Sequence, residues 1–312
     1  VEAAPHPIHR PRRRRMRRLG FAALGLVAAW LLISFAVAFK LTQRKHAPYP
    51  EPPPAVAWAK FEGLRLKTAD GQEIGGWFAD GRENDAPTVL FLHGNGGGRK
   101  HCLGRAEILA NDLGCALMLI SLRAHGDSTG DFNDIGLSAR RDVFAAVDFL
   151  RSRRPGRPIV VFGVSLGSAA AAFAGGELGD KVDGYVLESP YQDLKTAVRN
   201  RTRAALPTPF EQMAYLGLRI AGLFLLPQID EIAPVEAVAA IPVRVPILIM
   251  AGEADELATP EEARAIFGRV ASHARLETFP GARHKDLADV DPGRYRRLIV
   301  AFAGGTRRIG LP

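Results

Sequence analysis

The stretch VVFGVSLGSAA, residues 160–170, passes from β-forming residues through Gly-Val-Ser-Leu-Gly into a run of small helix formers. Glycines at 163 and 167 remove side chains that would collide where a strand reverses sharply into a helix. Such a turn strains the backbone of Ser165 and exposes its hydroxyl at a helix N-terminus, where negative charge is stabilised. The glycines are compatible with a tight turn alone, but the strand–turn–helix context favours a nucleophilic serine.

Apolar strand-like runs alternate with helical patterns on both sides of this stretch. After a hairpin at 61–80, the predicted strands are 88–94, 115–122, 157–163, 182–189, 245–252 and 274–280, and the predicted helices are 99–113, 137–151, 165–178, 259–270 and 291–303. This alternation predicts a mainly parallel α/β sheet with helices on both faces and an antiparallel edge. Functional residues in such sheets follow the carboxyl ends of the strands.

Two further residues at strand ends complete a candidate catalytic group. A serine hydroxyl needs a base to attack an ester, and the base needs an orienting acid. Asp255 follows the strand at 245–252, and His284 follows the strand at 274–280. The order Ser165, Asp255, His284 places each residue after a strand of one parallel sheet, at the same edge, which predicts a catalytic triad.

Other acids compete for the third position. Glu188 ends the strand at 182–189, and Glu253 and Glu256 flank Asp255. Asp255 is preferred because a short side chain fits a tight loop. Glu188 is the fallback, and its alternative role is a structural hydrogen bond to a neighbouring loop.

The glycine-rich stretch HGNGGG, residues 93–98, predicts half of an oxyanion hole. Its backbone amides are unshielded, and Asn95 is the candidate donor, with Gly96 next. The second donor is the backbone N–H of Leu166, directly after the serine. A phosphate-binding loop is the alternative, but no Lys-Ser/Thr pair follows at the required spacing. His93 is expected to brace the loop.

The combined motifs resemble the α/β-hydrolase superfamily, and more narrowly its membrane-anchored, depalmitoylase-like serine hydrolases. The matching stretches are ADG at 69–71, HGN at 93–95, LRAHGDSTG at 122–130, GVSLG at 163–167, GEAD at 252–255 and GARH at 281–284. Two departures are Ala124, where the family usually has glycine, and Ser121, where an acid or Asn is common. Ser121 lies at the end of the strand at 115–122, and Ala124 lies in the loop that follows it.

The resemblance implies hydrolysis of carboxylic esters or thioesters through an acyl-enzyme, without metal or organic cofactor. Some relatives cleave peptides, so a serine peptidase of the same fold is the alternative. A non-catalytic anchored binding module is the alternative from outside the enzymes. The expected substrate is a small or lipid-like acyl ester.

The positive charge of the chain is concentrated at its start. The net charge is +8, and residues 1–18 contain seven arginines and one acid, which leaves +2 for the rest. No basic groove is expected in the body, and therefore no nucleic-acid partner. Residues 19–39 contain no charged residue and are long enough to span a bilayer as a helix.

The arginines predict that the N-terminus lies in the cytoplasm and the rest outside a bacterial inner membrane, in the periplasm. An uncleaved anchor is favoured over a signal peptide cleaved near AVA at 36–38, because the apolar run is long. The proline-rich residues 40–57 are expected to be a stiff spacer before a hydrolase domain at 58–304, with a C-terminal tail at 305–312. Cys102 and Cys115 are expected to be buried thiols, and a disulfide between them is the alternative outside the cytoplasm.

Residues 191–244 lie between two predicted strands, where relatives insert a small helical lid. Within them, residues 210–227 are strongly apolar, with Arg219 the only basic residue. A helix that packs on the sheet is the favoured interpretation. The alternative is a helix that lines an acyl pocket or contacts the membrane.

Overall fold

The computed structural model describes residues 11–306, and one eight-stranded sheet forms its centre. The strands are β1 (Glu62–Lys67), β2 (Glu73–Ala79), β3 (Thr88–Leu92), β4 (Ala116–Ile120), β5 (Ile159–Val164), β6 (Gly184–Glu188), β7 (Ile247–Gly252) and β8 (Ala274–Phe279). They lie in the order β1-β2-β4-β3-β5-β6-β7-β8. Strands β3 to β8 are parallel, and β2 pairs antiparallel with both β1 and β4. The predicted parallel sheet with an antiparallel edge is confirmed.

Helices cover both faces of the sheet, as predicted. The helices are α1 (Pro11–Thr42), α2 (Leu103–Leu113), α3 (Arg140–Arg153), α4 (Leu166–Leu178), α5 (Leu194–Ala205), α6 (Phe210–Leu225), α7 (Pro234–Ala237), α8 (Pro260–Val270), α9 (Leu287–Val290) and α10 (Pro292–Gly305). In β5, Val161 packs in the core under α3, α4 and α8, whereas Val160 and Phe162 pack in the core under α2 and α10. Burial on both faces explains why the central strands are continuously apolar.

Helices α5, α6 and α7 occupy the predicted lid region between β6 and β7. The favoured interpretation of residues 210–227, a helix packed on the sheet, is wrong. Helix α6 packs mainly against α1 and α5. Packing against the apolar helix α1 accounts for the apolar residues on one face of α6.

Helix α1 is the one helix among the described residues that is long and apolar enough to cross a membrane. The candidate span Arg14–Thr42 contains an 18-residue stretch with a mean hydropathy of 2.4, and it extends beyond the predicted segment 19–39 at both ends. Residues 1–10 of the predicted basic tail, and residues 307–312 of the predicted C-terminal tail, lie outside the described part of the chain.

The proline-rich segment after α1 is not a free spacer. The indole Nε1 of Trp77 donates to the carbonyl oxygen of Glu51 at 2.9 Å, and Glu51 is only 8% exposed. At the end of α1, the Arg44 guanidinium donates to the carbonyl oxygens of Gly126, Ser128 and Gly130. These contacts hold the end of α1 and the proline-rich segment against the domain. A free spacer would make no such contacts.

Both cysteines are buried thiols, as predicted. Burial raises the pKa of the Cys102 thiol to about 12, so that it stays protonated at neutral pH.

Candidate active site

Ser165 lies between β5 and α4 in a strained backbone conformation. Its φ is 52° and its ψ is −107°, outside the regions that a residue with a side chain normally adopts. A Cβ at Gly163 would collide with the backbone of Gly167, and a Cβ at Gly167 would collide with the backbone of Leu92. Both glycines are therefore required for the sharp strand-to-helix turn that holds Ser165 at the lining of two cavities.

Hydrogen bonds from the adjacent strand fix this turn. The backbone N–H of Ser165 donates to the carbonyl oxygen of Glu188 at 2.8 Å. The hydroxyl of Ser168, one residue after Gly167, lies 2.8 Å from the carbonyl oxygen of Gly163 and 2.9 Å from that of Glu188. The serine is held by the ends of β5 and β6 rather than by a flexible loop.

The structure brings Ser165, His284 and Asp255 together in hydrogen-bonding order. The imidazole Nε2 of His284 lies 3.0 Å from Ser165 Oγ, and Nδ1 lies 2.7 Å from Asp255 Oδ2. The other carboxylate oxygen of Asp255 accepts the backbone N–H groups of Leu257 and Ala258, at 2.8 and 2.9 Å. Both carboxylate oxygens of this buried side chain are thereby oriented, which favours the imidazole tautomer with Nε2 free to accept a proton.

The competing acids are engaged elsewhere. Glu188 is fully buried, and its carboxylate binds the Arg105 guanidinium and accepts the Tyr295 hydroxyl at 2.6 Å. Glu253 is exposed and accepts the hydroxyl of Thr278 at 2.8 Å, and Glu256 is exposed. None of the three has a hydrogen bond to His284, so the fallback assignment of Glu188 has no geometric support.

The predicted oxyanion donors border the same cavity as the serine. Asn95, Ser165 and Leu166 line one pocket, and the N–H groups of Asn95 and Leu166 have no hydrogen-bond acceptor within residues 11–306. Gly96, the second choice, donates its N–H to Nε2 of His125 at 3.0 Å. Gly96 is therefore occupied, and Asn95 and Leu166 are the pair available to a developing oxyanion.

Two histidines brace the oxyanion loop. His93 is buried, and its Nε2 accepts the N–H of Leu122 at 3.0 Å while Nδ1 donates to the carbonyl oxygen of Gly94 at 2.8 Å. Burial lowers the pKa of His93 to about 3, and burial also lowers the pKa of His125. Both rings are neutral at physiological pH, which their acceptor roles require. His125 was not predicted from the sequence.

The loop after β4 shows how the two departures from the family pattern are accommodated. Ala124 has φ +60°, the left-handed conformation that glycine adopts without strain. The hydroxyl of Ser121 donates to the carboxylate of Glu51 and accepts the N–H of Arg99. Glu51, from the proline-rich segment, thus places an acid beside the position where the family commonly has one.

Two cavities meet at Ser165. The first is mostly apolar and extends under the lid helices α5 and α6. The second is the more polar of the two and runs past His284, with cationic side chains from Lys45, Arg201 and Lys285. An ester bound across both would place its carbonyl carbon at the serine, with one substituent in each cavity. Within residues 11–306, no group of three His, Cys, Asp or Glu side chains could hold a metal ion.

The lining of the apolar cavity includes residues that the sequence did not suggest. Ala38, Leu41 and Thr42 contribute to it from the end of α1. The signal that would have revealed them is the spacing of Ser34, Ala38 and Thr42, which places small side chains on one face of the apolar helix.

Comparison with known proteins gives a consistent picture. Residues 89–298 match the model of the "Alpha/beta hydrolase family". The chain is 33% identical over 137 residues to alpha/beta hydrolase domain-containing protein WAV2 of Arabidopsis thaliana, covering 43% of this chain and 44% of that protein. It is 26% identical over 148 residues to lysophosphatidylserine lipase ABHD12 of Rattus norvegicus, covering 46% of this chain and 36% of that protein. The chain thus matches less than half the length of each of these relatives.

Solved structures share the architecture. An esterase of Pyrococcus furiosus superimposes with a TM-score of 0.65 at 21% identity, covering 83% of this chain and 99% of that one. At this identity the likeness shows the fold alone.

Proposed function

The chain belongs to the alpha/beta hydrolase family, and from that premise we propose that it is a membrane-anchored serine hydrolase of acyl esters or thioesters. The observation that carries the proposal is the chain of hydrogen bonds from Ser165 Oγ through His284 to Asp255, at 3.0 and 2.7 Å. Ser165 attacks the acyl carbon while His284 accepts its proton, and Asp255 orients the imidazole. The N–H groups of Asn95 and Leu166 stabilise the oxyanion.

The leaving alcohol or thiol takes the proton back from His284, which leaves an acyl group on Ser165. Water activated by the same imidazole then releases the acid and restores the serine. The test is hydrolysis of p-nitrophenyl butyrate and of acyl thioesters by the full chain in detergent, with the Ser165→Ala protein as background. A folded wild-type protein that cleaves neither substrate nor peptides, and that takes no fluorophosphonate, would instead be a binding module.

We further propose that the substrate carries an anionic group that occupies the polar cavity. Lys45, Arg201 and Lys285 line this cavity, and within residues 11–306 none of the three lies within ion-pair distance of a carboxylate. Unpaired cations beside a nucleophile favour a negatively charged leaving group. A relative is named as a lysophosphatidylserine lipase, and lysophosphatidylserine is a substrate of this charge type.

The Lys285→Gln variant tests this charge preference. The expected result is a roughly fivefold fall in kcat/KM for lysophosphatidylserine, because removal of one charge near a partly hydrated anion costs about 1 kcal/mol. Hydrolysis of an uncharged monoacylglycerol should stay unchanged. Lys60→Gln, at an exposed position outside the cavity, makes the same change in net charge and is the control. Equal effects on the two substrates would contradict an anion site.

We also propose that α1 spans a bacterial inner membrane with its N-terminus in the cytoplasm and the hydrolase domain in the periplasm. Seven arginines precede residue 19, and only three basic residues, Lys40, Arg44 and Lys45, follow directly after residue 39. Translocation of the arginine-rich flank would work against the membrane potential, at about 2.3 kcal/mol per charge per 100 mV.

Fusions at the C-terminus of the full chain report this orientation. An alkaline phosphatase fusion is expected to be active and a GFP fusion to be dark, because the first folds only in the periplasm and the second only in the cytoplasm. An inactive phosphatase fusion together with a fluorescent GFP fusion would place the hydrolase in the cytoplasm.

A further inference from the structure

One face of the membrane-type helix α1 packs against the lid helix α6. Ser34, Ala38 and Thr42, spaced four residues apart, are 6%, 7% and 5% exposed, although most of the helix is exposed. A Cβ at Gly217 of α6 would collide with the Ser34 hydroxyl, so glycine permits the close approach of the two helices. One turn earlier, Trp30 Nε1 donates to the carbonyl oxygen of Met213 at 3.3 Å.

The same helix end reaches the apolar cavity at the serine. Ala38, Leu41 and Thr42 line the cavity from α1, and Ser165 and Leu166 line it at the other end. Between them, α5 and α6 supply mostly apolar side chains; these include Leu194, Ala197, Leu218, Leu225 and Leu226, the last just after α6. The cavity therefore runs from the nucleophile to the surface of the membrane-type helix, and its mostly apolar lining suits a hydrocarbon chain.

The outer face of α6 continues the apolar surface of α1. Phe210, Met213, Leu216, Leu223 and Phe224 are between 51% and 75% exposed. Large apolar side chains clustered on a surface indicate contact with something other than water. Because α6 packs beside Trp30 and Ser34 of α1, which belong to the candidate membrane span, these exposed apolar side chains are suited to contact with lipid acyl chains.

Resting on the proposed function, we infer that the last turns of the membrane-spanning helix form a wall of the acyl site, so that the acyl chain of a membrane lipid ester lies between α1 and α6 while Ser165 attacks its carbonyl. The anchor is then part of the enzyme and not only a tether. Ala38 and Leu41 are specificity-determining residues that set how long an acyl chain the cavity admits. The substrate class is an ester whose acyl chain is already in the bilayer.

The test is a pair of identical substitutions two residues apart on α1. Ala38→Trp fills the cavity, whereas Ala36→Trp adds the same side chain on the exposed, lipid-facing side of the helix. Both full-length proteins are assayed in detergent micelles against p-nitrophenyl butyrate and p-nitrophenyl palmitate. Rates are expressed per active site titrated with a fluorophosphonate, so that misfolded protein is not counted.

Ala38→Trp is expected to lower kcat/KM for the palmitate ester about 100-fold relative to the butyrate ester, because roughly three to four methylenes lose their burial. Ala36→Trp should keep the wild-type ratio. Equal ratios in the two active variants would overturn the inference. Inactivity of the wild-type protein toward both esters, without labelling, would instead refute the proposed hydrolase.

A second measurement needs no variant. An alkyl fluorophosphonate of palmitoyl length, with a diazirine at the chain end, is allowed to react with the wild-type protein and is then irradiated. Crosslinks are expected in α1 or α6, and peptide mapping by mass spectrometry identifies them. A labelled protein with crosslinks confined to other elements would place the acyl chain elsewhere and overturn the inference, even if Ala38→Trp does not fold.

Discussion

Replacement of Ser165 by alanine is expected to reduce kcat for p-nitrophenyl butyrate by about 10⁴- to 10⁶-fold, because the acyl-enzyme cannot form. The residual rate over water would come from substrate binding and from the N–H groups of Asn95 and Leu166. The substitution leaves the strained turn intact, because the backbone at 165 is held by the N–H bond to the Glu188 carbonyl oxygen. The Tm should therefore change by only a few degrees.

The control for this variant is Ser272→Ala, which removes an exposed hydroxyl whose hydrogen-bond partner is its neighbour His273. Its kcat should equal that of the wild-type protein. A Ser165→Ala protein that is folded, and that retains more than a tenth of the wild-type kcat, would exclude Ser165 as the nucleophile.

The Asp255→Asn variant is expected to lose about 10⁴-fold in kcat while it keeps the fold. The carboxylate oxygen of Asp255 lies 2.7 Å from Nδ1 of His284 and accepts a hydrogen bond from the Nδ1–H group. With the hydrogen on Nδ1, Nε2 is free to accept the proton of Ser165. An amide at this position allows the opposite tautomer, in which Nε2 carries a proton and cannot act as a base. The measurement is kcat per active site, with a circular dichroism spectrum to verify folding.

Glu253→Gln is the matched control for Asp255→Asn, because it neutralises the exposed acid two residues earlier. Its kcat should stay within about twofold of the wild-type value, as expected for a change outside the hydrogen-bond chain. If Asp255→Asn kept full activity while a folded Glu188→Gln variant lost it, the orienting acid would be Glu188.

The positions of the candidate triad could be predicted because they depend on one property of the fold. In a parallel sheet, residues after successive strands meet at one edge, and chain order then distinguishes Ser165, Asp255 and His284 from other polar residues. The glycines at 163 and 167 could be recognised as turn residues, because a sharp reversal from strand to helix requires residues without side chains at these positions.

The surroundings of the triad could not be predicted in the same way. Helix α1 packs on α6, and Glu51 contacts Ser121. In both cases the two segments are far apart in the sequence, and no periodic pattern of residues indicates that they meet. Proline-rich composition indicated an extended segment but not whether it lies against the domain. The apolarity of residues 210–227 matched both a helix packed on the sheet and a helix that lines an acyl pocket or contacts the membrane, and the packing of α6 on α1 was not among these expectations.

The most direct test of Ser165 as the nucleophile is to locate a covalent adduct. The full-length protein is labelled in detergent with a fluorophosphonate and digested, and the modified peptide is sequenced by mass spectrometry. One phosphonyl group on Ser165 is predicted in the wild-type protein, with loss of all labelling in the Ser165→Ala and His284→Ala variants. Stoichiometric labelling of another residue, or a labelled Ser165→Ala protein, would contradict the assignment.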